Sequence, residues 1–374
     1  MLPGHFSLLR GDVIAPPMPT LEPDGRMRPI RNSLAGPLVT RLAALVLAGF
    51  LLIYLRPILV PLFLAILLAV VVTPLVGWLV KHRVAPPFAI LLAELVATLP
   101  LLGTILVFVA TAGPLTQELP KYQEQLTNQA SRTIDALLTQ VPEAERGEIR
   151  RQLGERLVPE ALTEGVSLMQ DSAQAVGALF GYLFLTLLLA GFVLHEGRRL
   201  REKFGLAFGP ENPLLGALEA IGRDVRAYVV AKTIISALTS LAVGILLWAC
   251  EVDFALFWAV VAFPLNFIPT VGAIVASLPP MLLATVDPEM SAWGAVGVAL
   301  GLLAINGIVG SVLDPRYVGH TVKLSPLVVL LSMLLWGTLW GPLGMILAVP
   351  IMVSVKLVCA RIPALEPVAT LMTG

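Results

Sequence analysis

The chain is dominated by apolar runs that no globular core can absorb. Six of them, at 38–55, 57–80, 88–112, 173–194, 227–250 and 291–313, have the roughly 17–25 residues that a helix needs to cross hydrocarbon. Two more, at 254–286 and 326–358, run 33 residues each. That is too long for one span of ~20 residues and too short for two spans and a turn, at ~45. Lipid offers no partner to an open backbone group, so every segment inside it must be helical or buried in protein. These runs predict an all-α, polytopic transmembrane protein. It has about six full spans plus two broken, re-entrant helical hairpins, eight or more membrane segments in all.

Composition agrees. Hydrophobic residues make up 57% of the 374 and charged residues 13%, about half the share of a soluble domain. A formal net charge of zero argues against nucleic acid as a partner. Cys250 and Cys359 end apolar stretches, and His5, His82, His195 and His320 are scattered, so neither a metal site nor a disulfide framework is expected. No cofactor is expected either. The phosphate-binding pattern G-x-x-x-x-G-K-[ST] is missing from the sequence, so any transport is passive or ion-coupled. No Ser/His/Asp arrangement supports an enzyme.

The runs divide the chain. Residues 1–37 hold seven prolines and Arg10, Arg26, Arg28 and Arg31, and read as a disordered basic tail. Spans one to three occupy 38–113, and an extramembrane helical segment follows at 114–172, with Leu126, Ala130, Ile134, Leu137 and Leu138 on one face and breaks at Pro142 and Pro159. It reads as a solvated cap or a binding module. The rest of the membrane domain fills 173–360, and 361–374 is a short C-terminal tail. Basic clusters at the tail, at 81–83 and at 197–203 place both termini in the cytoplasm of a bacterial inner-membrane protein, with 114–172 outside.

The two long runs interrupt themselves. "PTVGAIVASLPP" (269–280) and "GPLGMILAVPI" (341–351) each hold a Pro/Gly turn, an apolar run and a further proline. Proline removes a backbone N–H and frees a carbonyl, so such a break is either a kink buried in the bundle or the lining of a wet cavity. Asn266, an amide that lipid cannot satisfy, favours the cavity. The paired breaks are similar to the inverted broken helices of secondary transporters.

These same blocks carry a family resemblance. "NFIPTVGAIVASLPP" and "DPRYVGHTVKLSPLVVLLSMLLWGTLWGPLGMILAVPIMVSVKLV" (314–358) resemble the signature region of the autoinducer-2 exporter family. Pro269, Gly272 and Pro279 match in the first; Pro315, Gly319, Ser325, Pro326, Trp336, Trp340, Gly341, Gly344 and Pro350 are among the matches in the second. The resemblance covers roughly 38–360. It implies a permease exporting a small polar solute of the autoinducer-2 kind, or a sodium(lithium)/proton antiporter, with lipid bilayer around it. It also implies a homo-oligomer, a pentamer among the options. An oligomeric scaffold that binds another protein is the alternative from a different class.

Candidates for the transport path or ion coupling follow from position. Glu94, in "ILLAELVATL", is an intramembrane carboxylate: a neutral acid bonded within the bundle or a proton carrier. Asn306 sits among Gly301, Gly307 and Gly310, either as glue between helices or on the path. Asp314 and Arg316 flank Pro315, as a gate pair or an ordinary interfacial pair. The breaks add Asn266, Pro269, Thr270 and Gly272 in the first segment, and Ser325, Gly341 and Gly344 in the second.

Overall fold

A computed structural model describes residues 35–139, 176–209, 213–319, 324–362 and 365–374, with isolated positions between 147 and 163. The tail expected over 1–37 lies almost wholly outside these residues, as do Pro142, Pro159 and most of the expected segment beyond 139. The described chain is helical. In order come α1 (Ala35–Tyr54), α2 (Arg56–Lys81), α3 (Pro86–Leu138), α4 (Val176–Phe208) and α5 (Pro213–Ala249). Then follow α6 (Ala255–Leu265), α7 (Val271–Val286), α8 (Ala292–Ile308), α9 (Pro326–Trp340), α10 (Pro342–Cys359) and α11 (Glu366–Leu371).

Among the described residues, five helical stretches are long and apolar enough to cross a membrane: Arg56–Lys81, Pro86–Leu115, Glu219–Ala249, Ala292–Tyr317 and Pro342–Cys359. The apolar portions of α1 and α4 and the whole of α6, α7 and α9 are shorter. Prolines open helices here as well as lying inside them. α2, α3, α9 and α10 each carry one in the first turn, where the missing N–H has no partner to lose. α3 is the surprise: its 53 residues continue through Pro100, Pro114 and Pro120, so the start of the segment expected outside the membrane is a direct extension of the third apolar helix.

By contacts the chain divides into residues up to Leu51 and Leu52–Gly374. The first holds most of α1, whose Val46, Leu47 and Phe50 are exposed. In the second, α5 stands between two helical hairpins. The α6–α7 hairpin is enclosed by α3, α5 and α8, through a core containing Leu115, Leu247, Trp258, Leu283 and Leu302. The α9–α10 hairpin packs on α5 through Tyr228, Val349 and Val353, and on α2 through Val60, Trp340 and Leu347. α4 lies against α2 and α3. Outside this core, large apolar side chains face outward, and exposed aromatic residues mark the ends of spans: Trp78 on α2, Trp248 on α5, Trp293 and Tyr317 at the two ends of the α8 span. That is the surface of a protein bathed in lipid with aromatic belts at the interfaces.

Both breaks are where the sequence places them, and each turns on a glycine. Between α6 and α7 the chain reverses over Asn266–Thr270, with Thr270 at φ 62°. A Cβ at Gly272 would lie 1.7 Å from the Leu265 carbonyl oxygen, so only glycine lets the arms meet. Between α9 and α10 the turn is the single residue Gly341, at φ 69° and ψ −151°, a conformation essentially closed to other residues. Gly344 repeats the close approach, its Cβ position falling 2.0 Å from the Trp336 carbonyl oxygen. Beyond α10 the C-terminal residues return to the base of α9: Leu324 bridges Thr373, and Ser325 N–H donates to the Met372 carbonyl at 3.0 Å.

Candidate functional site

α5 carries a polar ladder through the middle of this apolar assembly. Tyr228, Lys232, Ser236 and Ser240 stand four residues apart, on successive turns of one broad face. Tyr228, Lys232 and Ser236 are buried. Each of the last three reaches a different element. Lys232 Nζ lies 2.9 Å from both carboxylate oxygens of Asp314. Ser236 Oγ accepts from Asn266 Nδ2 at 3.0 Å, and Ser240 Oγ donates to the Ala259 carbonyl at 2.6 Å.

Local backbone explains how Asp314 arrives. Past Ile308, α8 widens into π-helical turns at Val309–Leu313 and Pro315–Gly319. Pro315 has no N–H to give the helix, and such bulges recur at functional sites. Asp314 sits at the join, with its side chain 29% exposed against 4% for Lys232. The buried Lys232 ammonium depends on this partner, since removing Asp314 leaves it buried alone.

The pairing expected between Asp314 and Arg316 is therefore corrected: the partner of Asp314 is Lys232, 82 residues earlier. Arg316 is exposed and its guanidinium stands over the Tyr317 ring, 6.0 Å from the centroid. The geometric reason is the helix itself, which turns the residue two places on to a different side.

The other candidates fall into four groups. Asn266, Pro269, Thr270 and Gly272 form the α6–α7 turn, and that turn meets the second hairpin, because Leu265 and Ile268 pack with Met333, Trp336, Met345 and Ala348. Gly341 and Gly344 shape the second hairpin, while Ser325 caps α9 by accepting from Val328 N–H at 3.3 Å. Asn306 holds α8 to α7 through Ser277, at 2.7 Å. Glu94 stands apart from the ladder. It is buried on α3 against α4, facing Gly191, where a Cβ would meet the carboxylate at 3.5 Å, an ordinary van der Waals distance. Its Oε1 has no hydrogen-bond partner among the described residues. Among the described residues, no cluster of His, Cys, Asp and Glu could hold a metal ion.

At the other end of α5, Tyr122 from the α3 extension donates to the Asp253 carboxylate. Burial, and then the bond to Asp253, hold its hydroxyl well above the usual phenol range.

Sequence reasoning missed Lys232, Ser236 and Ser277. Lys232 was there to find: it interrupts "AYVVAKTIISALTSL", and an ionisable residue inside an apolar run marks function by default. Nothing in the sequence marked the two serines, whose partners lie about thirty residues away.

A family profile described as "AI-2E family transporter" matches residues 42–364, most of the chain. The chain belongs to the AI-2E transporter family. Its relatives include the AI-2 transport protein TqsA of Escherichia coli K12, 30% identical over 300 residues, which cover 80% of this chain and 85% of TqsA. YhhT of the same strain, whose name proposes transport and gives no substrate, is 31% identical over 74% of this chain and 77% of its own length. A Haemophilus influenzae protein named in the same way is 30% identical over 78% and 82%. Membership makes this a multi-pass membrane transporter, in a family named for transport and not for catalysis. The ladder on α5 and the turn that docks on it lie within the matched region.

Proposed function

We propose that the chain exports a small polar solute of the autoinducer-2 kind across the bacterial inner membrane, along a path beside α5 where the two broken hairpins meet. The observation that carries this reading is the pairing of buried Lys232 with the partly exposed Asp314, one helical turn from the Ser236–Asn266 bond at the first break. A lipid-filled or purely structural bundle has no use for a charge pair and an amide there, whereas a hydrophilic solute needs such partners in place of water. The name of TqsA points to the same solute class. The positive-inside pattern supports cytoplasmic termini, and the family resemblance supports a homo-oligomer, up to a pentamer.

Ion coupling is a second reading with its own support. Asp314 is bound to a cation and partly exposed, so a proton or sodium ion arriving at its carboxylate competes with Lys232 and frees it. An antiporter built on that exchange moves ions without solute. Counterflow of autoinducer-2 in proteoliposomes, run with and without sodium and pH gradients, separates the readings. Solute flux indifferent to both gradients supports a passive exporter, and solute flux that follows either gradient supports ion coupling. Sodium-driven proton movement without solute flux supports the antiporter. Neither kind of flux removes both and leaves the scaffold.

A further inference from the structure

The side of α5 turned away from the ladder forms the wall of an open groove of ≈ 640 Å³, closed on the other side by Leu313 and Tyr317. It runs from Arg223 to Leu238 along the helix, about 22 Å at ~1.5 Å per residue. That exceeds one leaflet of a hydrocarbon core ~30 Å thick by about a headgroup. Chemistry divides the groove sharply. Arg223, Arg226 and Tyr317 cluster at one end; beyond them the lining is alanine, valine, isoleucine and leucine. Ile234 and Leu238 are more than half exposed.

The cationic end is built, not merely crowded. Arg226 Nε donates to the Val70 carbonyl of α2 at 2.7 Å, which fixes the direction of its guanidinium. Arg316 stands over the ring of Tyr317 and adds a third positive charge beside the mouth. The carboxylate on the neighbouring turn, Asp314, is committed to Lys232. The other acidic groups close in sequence are Asp224, about 100° round the helix from Arg223, and Glu219, an exposed residue one helical turn before Arg223 on nearly the same face. Neither Arg223 nor Arg226 forms an ion pair among the described residues.

We propose that this groove binds one anionic phospholipid, its phosphate between Arg223 and Arg226 and an acyl chain along Ala231 and Ile234 to Leu238. Charge and length choose the occupant. Two guanidiniums match a phosphate by bidentate bonds, and basic pockets between spans are where anionic headgroups settle. An apolar face of a second copy of this chain would leave those cations buried without a counter-charge. The site is independent of the transported solute.

Electron paramagnetic resonance of spin-labelled phosphatidylglycerol and phosphatidylcholine, with the full chain in vesicles, tests it. The wild type selects phosphatidylglycerol. Arg223→Gln, at an exposed position outside the core, lowers that selectivity about fivefold, the effect of one charge near ~1 kcal/mol. Arg226→Lys keeps the charge and most of the selectivity. Ala231→Phe fills the groove and reduces the motionally restricted fraction of both lipids. Equal association of the two lipids with wild type, or selectivity untouched by Arg223→Gln, overturns the proposal. So does an Ala231→Phe protein whose subunit number falls by native mass spectrometry while lipid association stays the same, since a second copy then covers the groove.

Discussion

The two hairpins look alike in sequence and do different work. The second, α9–α10, turns on Gly341 alone, whose own position brings no polar side chain. Trp336 and Trp340 rings stand 4.6 Å apart beside it, Trp340 Nε1 donates to the Leu52 carbonyl, and the Arg56 guanidinium lies against the glycine. The first, α6–α7, spends five residues on its turn, Asn266–Thr270, and sends Asn266 to Ser236 on α5. One is built to be tight, the other to bring polar groups into the bundle. A proline-and-glycine break therefore does not mark a site by itself. What distinguishes the two is the side chain that the turn carries and the helix face that receives it.

The glycines that close the turns set the largest effect. Gly272→Ala and Gly344→Ala each force a methyl into a backbone carbonyl, and we expect each to cost at least about 3 kcal/mol, the upper range for overpacking. Both proteins should be recovered mainly as aggregate on size exclusion. If either yields wild-type amounts of monodisperse protein, that arm is not packed as described.

Next comes the charge pair. Asp314→Asn alone strands the buried Lys232, at about 3–5 kcal/mol, and Lys232→Met, which leaves the partly exposed Asp314, costs less, whereas the double change Lys232→Met with Asp314→Leu recovers most of the loss. Thermal unfolding in detergent reads this directly. A double variant that melts no higher than the singles would mean the two residues act separately. Transport should be lost in all three, including the double variant that folds.

Glu94 tests whether coupling is confined to the ladder. Glu94→Gln preserves the shape beside Gly191 and should leave the melting temperature almost unchanged. If protons pass through Glu94, the pH dependence of flux flattens; an unaltered profile takes this residue out of the mechanism. The smallest effects belong to the amides. Asn266→Ala and Asn306→Ala each remove one interhelical bond worth ~0.6 kcal/mol, so stability barely separates them. Flux does: we expect it to fall in Asn266→Ala and to hold in Asn306→Ala, whose Ser277 partner joins neighbouring helices of the core.

Much of the fold was legible because lipid imposes a simple code. Run length and the position of Pro269, Gly272, Gly341 and Gly344 were enough to place two broken hairpins among full spans. The α3 extension was not legible, because the apolar run ends near 112 and the polar residues beyond it read as a separate segment, whereas one long helix carries both. Within the site, Asn266 and Asp314 were visible as polar residues in apolar surroundings. Their partners were not, because Lys232–Asp314 and Asn266–Ser236 join segments 82 and 30 residues apart. Pairing is a property of packing between helices, and local sequence records only that a partner is needed.

The most direct test of a solute path along α5 is efflux of autoinducer-2 from proteoliposomes holding wild type, Asp314→Asn or Asn306→Ala, each checked for helicity and subunit number. The account predicts efflux well above empty vesicles for wild type and Asn306→Ala, and efflux at the empty-vesicle level for a folded Asp314→Asn. Wild-type efflux no faster than that of empty vesicles, or undiminished efflux in Asp314→Asn, would contradict it.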